Sequence, residues 1–249
     1  MHLRAAQSCF APIVANREAW KNECAMMKHS SVIKMKNMTR STNRNRALSS
    51  LFKLCLTGAA LAWGHTASAQ SLTTTTNFTV QAMVPDADPS GLASVQTIST
   101  PITNLTGLKV ALKVNSTWSG DLYCFLAHGT NHSVLLNRLG RSSTNDLGYN
   151  DMNLDVAFDD SATNGDIHVY RLQLTGNEAT PIQGPLTNAW VPDARVESPA
   201  TVVDTHIPSA FLGSFLGADP NGEWVLFVAD MEAGDFQFVD SWGLEITGD

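Results

Sequence analysis

Cysteine is scarce where it could shape a fold. Of the four cysteines, Cys9, Cys24 and Cys55 lie in the first 69 residues, and only Cys124 falls in the remainder. A lone thiol forms no internal disulfide, so the folded part must rest on an apolar core. In "DLYCFL", Cys124 keeps phase with Leu122 and Leu126, which marks a buried thiol and not a nucleophile. Positive charge is equally scarce beyond residue 69. Lys109, Lys113, Arg138, Arg141, Arg171 and Arg195 stand against all the acidic residues except Glu18 and Glu23, six against 21, a net of −15. Such a surface repels phosphate backbones and excludes nucleic acid as a partner, while it attracts divalent cations. Long helical periods are missing, as are a His-Glu-x-x-His pair and a Gly-x-Ser-x-Gly elbow.

The first 69 residues differ in kind, with ten basic residues and two acidic ones. They hold the three parts of a secretory signal. Arg40, Arg44, Arg46 and Lys53 supply the charged region, "LCLTGAALAW" (54–63) the apolar one, and Ala67-Ser68-Ala69 the small-residue end. The apolar run is shorter than the roughly 20 residues a membrane helix needs. Cleavage between Ala69 and Gln70 is expected, with translation starting at Met35 or Met38. The product is then exported (secreted, periplasmic or on the cell surface), with no membrane span left after signal removal. A remainder of this size buries about 70% of its unfolded surface, enough for one domain.

"QSLTTTTN" opens that remainder, and residues 70–79 read as a polar tether ahead of a domain over 80–249. Thereafter the pattern has period two. In "LKVALKV", Leu108, Val110, Leu112 and Val114 alternate with Lys109, Ala111 and Lys113, a half-buried strand. Leu122, Cys124 and Leu126 repeat that phase. "SVLLNRL" (133–139), "NLDVAF" (153–158), "IHVYRLQL" (167–174) and "SWGLEIT" (241–247) predict further strands, and "EWVLFVA" (223–229) predicts one covered on both faces. Gly, Asn and Asp turns separate them. "SAFLGSFL" (209–216) predicts a single helical turn, and 178–208 an excursion outside the sheets. Many short strands with such turns predict an all-β chain, a two-sheet sandwich or jelly roll.

Candidate chemistry is sparse. Asp219-Pro220-Asn221-Gly222 has the residue order of a type I turn, and the twelve positions from Asp219 lack the alternating oxygens of a calcium loop. "HGTNH" (128–132) invites comparison with a protease histidine. No partner serine segment follows it, and Gly129 breaks any helix that would align a zinc pair. "NDLGYNDMNLDVAFDD" gathers Asp146, Asp151, Asp155, Asp159 and Asp160, which fits a solvated loop, a calcium site or a paired-carboxylate glycosidase. Trp190, in the excursion, is the best aromatic for a surface contact with a glycan.

Six segments carry a family resemblance: "VPDADPSGLASVQTIS" (84–99), "TWSGDLYCFL" (117–126), "SVLLNRLG" (133–140), "AFDDSA" (157–162), "GADPNGEWVLFVAD" (217–230) and "DSWGLEI" (240–246). In this order they resemble the P domain, or P/Homo B domain, which follows the catalytic domain of proprotein convertases and many bacterial subtilisin-like proteases. The resemblance covers 80–248. It implies a galactose-binding-domain-like jelly roll of about eight strands. It also implies a module without catalytic residues, one that stabilises a serine endopeptidase and modulates its calcium and pH dependence. The "FDD" segment and the Gly120-Asp121 strand opening make Asp121, Asp159 and Asp160 the expected ligands of one structural calcium. Residues 70–80 hold no protease, so the expected partner is a protease in trans or another protein. A glycan bound in lectin fashion is the alternative, and a peptidase or glycosidase activity the remoter one.

Overall fold

The computed structural model describes residues 70–249. The signal-like run, Ala69 and the alternative start codons lie outside the described residues. Nine strands form: β1 (Leu72–Met83), β2 (Leu92–Ile98), β3 (Leu105–Ser116), β4 (Leu122–His128), β5 (Asn131–Asn137), β6 (Leu154–Phe158), β7 (Leu186–Trp190), β8 (Gly222–Asp230) and β9 (Gln237–Gly248). One sheet has the order β1-β9-β3-β6-β7 and the other β2-β8-β4-β5. Every pairing is antiparallel except the parallel β6–β7 edge. The chain is an all-β sandwich of two sheets.

Side-chain alternation explains the layering. Leu108, Val110, Leu112 and Val114 of β3 are buried, while Lys109 and Lys113 stay outside in ion pairs with Glu245, Asp155 and Asp240. Leu122, Cys124 and Leu126 of β4 and Trp224, Leu226 and Val228 of β8 bring the other sheet's apolar rows inward. Trp242 of β9 closes the layer, tilted against Phe78 at 4.7 Å. Burial pushes the Cys124 thiol far above its ordinary range, as its strand phase requires.

Three expectations are corrected. Residues 72–79 are not a tether but most of β1, laddered to β9 from Leu72↔Gly248 to Met83↔Phe238. Threonine is β-branched, so the run favours strand without the apolar alternation that usually reveals one. "IHVYRLQL" is not a strand but a 3-10 turn, Ile167–Val169, running into α1 (Tyr170–Thr175). Asp166 caps the turn by accepting from the His168 N–H, and Gly176 ends α1 at φ 79°. The excursion over 178–208 is only partly outside the sheets, because β7 lies in it and pairs with β6 from Leu154↔Leu186 to Phe158↔Trp190. The next stretch covers the outer edge of β5. Asp193 and Ala194 donate to Leu135 and Val134, and Val134 donates to Ala210. An edge so occupied offers no template for another strand.

Candidate functional site

The three expected calcium ligands do not meet. Asp121 stands just before β4, in the 3-10 turn Ser119–Asp121. Asp160 accepts from the N–H groups of Leu212 (3.0 Å) and Gly213 (2.7 Å). That turn also touches the start of β5, where Ser214 donates to the His132 carbonyl. The β4–β5 pair therefore separates Asp121 from Asp160 by the length of β4, roughly 20 Å at strand rise. Asp159 is occupied by Ser161, whose hydroxyl bond is the chief reason its carboxyl sits below the usual range. The remaining aspartates of that run disperse too. Asp151 takes Arg171, Tyr170 and the Ile182 N–H, and Asp155 takes Lys113. Among the described residues no three His, Cys, Asp or Glu side chains converge as a metal-holding group.

Asp121 has different company. Its side chain is buried, with Arg138 Nη2 at 3.8 Å. Arg138 is itself buried and donates to the Gly120 carbonyl (2.6 Å) and to Glu232 (2.9 Å). Burial pushes the Asp121 carboxyl up to about 7, with Asp230, Asp235 and Glu232 adding to the rise and Arg138 opposing it. Asp230, the last residue of β8, is pushed up to about 6, again mainly by burial.

The two motif loops are structural. Asn221 N–H bonds Asp219 Oδ1 at 2.9 Å, and the Asn221 side chain bridges to Thr100 N–H and the Ile102 carbonyl. The turn is thus built by an Asx bond and leads into β8 at Gly222, φ 113°. His128 lies flat on Trp224 at 4.3 Å, and its ring nitrogens meet the carbonyls of Glu223 and Asp219 at 2.8 Å each. His128→Ala is expected to cost about 1–3 kcal/mol in a urea unfolding series, from the lost stack and bonds. A change below about 0.3 kcal/mol would sever His128 from the fold.

Two buried polar networks were invisible in the sequence. His168 bonds Asp193 (2.7 Å) and the Arg141 carbonyl (2.9 Å), and Arg195 bridges Asp193 and Asp166. Ser119 bonds the Tyr170 hydroxyl at 2.9 Å, and Tyr170 donates to Asp151. The serine thus faces a tyrosine and the histidine faces other partners. Trp190 corrects another expectation. It is fully buried, donates to the Thr187 carbonyl at 2.8 Å and meets Tyr170 edge-on, so it cannot be a glycan platform.

A distinct surface remains. The outer face of the five-stranded sheet carries Lys109, Lys113, Asp155, Asp240 and Glu245. The outer face of the four-stranded sheet instead carries Ala93, Val95, Tyr123, Phe125, Val225 and Phe227, in register across β2, β8 and β4. Phe125 stacks on Phe227 at 4.9 Å, with Tyr123 near both. Val95 is 44% exposed and the aromatic rings are half-buried. β8 is therefore apolar on both faces while only its inner face is covered, which corrects the expectation of a doubly covered strand.

No protein-family model matches the chain, and no curated protein does. Among solved structures the chain is similar to a serine protease of Aeromonas sobria, at 17% identity and a TM-score of 0.40, over 76% of this chain and 29% of that one. It is similar also to the A. sobria serine protease in complex with the chaperone ORF2, at 17% identity and 0.38, over 72% and 27%. The chain spans less than a third of the length of either.

Proposed function

We propose that this chain is an exported, non-catalytic accessory module of the P-domain type. It binds and stabilises a protein partner through the outer face of its four-stranded sheet. The observation that carries this reading is the contrast between the two outer faces. A charged face is content in water, whereas a contiguous, uncharged aromatic and aliphatic face marks an interaction surface. The six family-like segments agree with it. They supply the loop into β2, the approach to β4, the strand β5, the end of β6, the turn into β8, and β9. A serine endopeptidase of the subtilisin-like class, lacking a sandwich of its own, is the partner these segments favour.

The test is thermal inactivation of such a protease with and without this chain. Wild-type chain is expected to slow inactivation. Phe227→Ser and Phe125→Ser are expected to weaken the effect at least tenfold, since buried aromatics dominate interfaces, while far-UV spectra stay unchanged. Protection undiminished in both folded variants would refute the surface. Casein cleavage by the purified chain alone would refute the non-catalytic reading.

A further inference from the structure

One flank of the sandwich is sealed and the other is open. On the sealed flank the 193–210 stretch bonds along β5, and the Asn164 side chain donates to the Ala189 carbonyl of β7. The open flank holds β1 and β2, the end strands of the two sheets. Trp242 joins them across the layer, donating to Ser94 of β2 while tilted against Phe78 of β1. Among the described residues, the backbone of Leu72–Thr79 bonds only to β9, and that of Leu92–Ile98 only to β8. Every second residue of each strand therefore turns its N–H and C=O away from the sheet without a partner in the chain.

The usual devices that blunt such an edge are missing here. Leu72–Thr79 contains no charged residue and no proline, and the bulge of β1 comes only after Thr79. β2 is uncharged as well. The inward row at this edge is also unfinished. Phe78, Val80 and Leu92 pack on the core yet are only half-buried, and Leu72 is 42% exposed. A second copy brings the same excess of negative charge, so it can come close only over an uncharged strip. Glu245, opposite Thr75 on β9, is neutralised by Lys109 at 3.1 Å. An antiparallel edge is moreover its own complement, since a two-fold axis brings its N–H groups onto the C=O groups of the copy.

We propose that the chain forms a homodimer in which two copies of β1 pair antiparallel around a two-fold axis at Thr75, fusing their five-stranded sheets into one. The register follows from the faces of the strand. An axis normal to the sheet leaves each face on its own side, so it passes through a residue and not between two. Centred on Thr75, it sets Phe78 opposite Leu72 of the second copy, twice over, and covers both of these incompletely buried side chains. Centred on Thr76, it would set Phe78 against Thr74 and carry Leu72 past the bulge to Val80. A single strand pair buries less than the roughly 1,200 Å² of a standard interface, so the association is weak. It uses the edge of one sheet and stands independently of the apolar outer face of the other.

The experiment is sedimentation equilibrium of the purified chain from about 1 μM to 1 mM, where a monomer–dimer dissociation constant of about 10⁻⁵–10⁻⁴ M is expected. Thr75→Lys preserves the fold, because the new ammonium stands opposite Glu245, but it sets two like charges face to face at the axis. It is expected to weaken dimerisation at least tenfold without lowering the melting temperature. Thr75→Cys supplies a second readout, in a chain that also carries Cys9→Ser, Cys24→Ser and Cys55→Ser and keeps the buried Cys124. Directly opposed residues lie about 4.5–5.5 Å apart at Cα, within disulfide reach, so mild oxidation should yield a covalent dimer. Thr73→Cys faces Asn77 of the second copy in this register and should not cross-link. Phe227→Ser should leave both readouts unchanged, which separates the edge from the docking face. A monomer at every concentration, or an undiminished dimer in folded Thr75→Lys, would overturn the assignment. A dimer abolished by Phe227→Ser and kept by Thr75→Lys would place the second copy on the apolar face and overturn it equally.

Discussion

Asp193→Ala is expected to lower the free energy of unfolding by about 3–5 kcal/mol, the cost of leaving buried charge without its partner. Asp193 is fully buried and holds three donors: His168 Nδ1 at 2.7 Å, Asn137 N–H at 3.1 Å and Arg195 Nη1 at 3.2 Å. Its loss strands an imidazole and a guanidinium together. It also loosens the segment that protects the β5 edge, because Ala194 follows it directly. Equilibrium urea unfolding with an unchanged midpoint would show that the network bears no load.

The same network sets a pH dependence. Burial works against the charged form of His168, but the Asp193 hydrogen bond and charge outweigh it and the Arg141 carbonyl assists. Arg195 pushes the other way, and the ring still titrates above its ordinary 6.5. A raised histidine value means stability that is complete below about 6.5 and lost as pH climbs through the folded value. The stability gap between wild type and His168→Gln should therefore narrow on the alkaline side. Asp121 and Asp230 also lose stability with rising pH, between the ordinary carboxylate range and about 7. They are present in both proteins and cancel in the difference. Parallel curves from pH 6 to 9 would sink this account.

Trp190→Ala should be comparably severe, at about 3–5 kcal/mol, as for large aromatic truncations in cores. The indole lies between β7 and α1, and its N–H would leave the Thr187 carbonyl unpaired. A drop in melting temperature with loss of near-UV dichroism is the expected readout. A cost under about 1 kcal/mol would mean that the ring is not packed as described. Any glycan signal abolished by this substitution would consequently report unfolding, not a lost contact.

Period-two alternation made β3, β4, β6 and the core half of β9 legible from residue order alone, because each has one wet or partly wet face, while β5 and β8 showed only as short apolar runs between turns. The failures share a physical origin. β1 escaped because threonine has strand preference without the oily alternation that betrays it. α1 escaped because Ile167, Tyr170 and Arg171 are buried with helical spacing but too briefly to show a period. β7 escaped because Gly184-Pro185 precede it and Pro192 follows it, which reads as loop. Site residues were harder still. His168, Asp193 and Arg195 give no signal in residue order, being polar residues scattered over nearly thirty positions. What unites them is shared burial, which is a property of the fold and not of composition.

One consequence of the strand order concerns timing. β9 lies between β1 and β3, so the earliest ordered segment is held by the latest to be made. Closing such a long span carries an entropic toll that only the final ladder offsets, which makes assembly slow and all-or-none. A ribosome-bound chain short of Gly248 would hold β1 without a mate, leaving it available to holdases until β9 has been made.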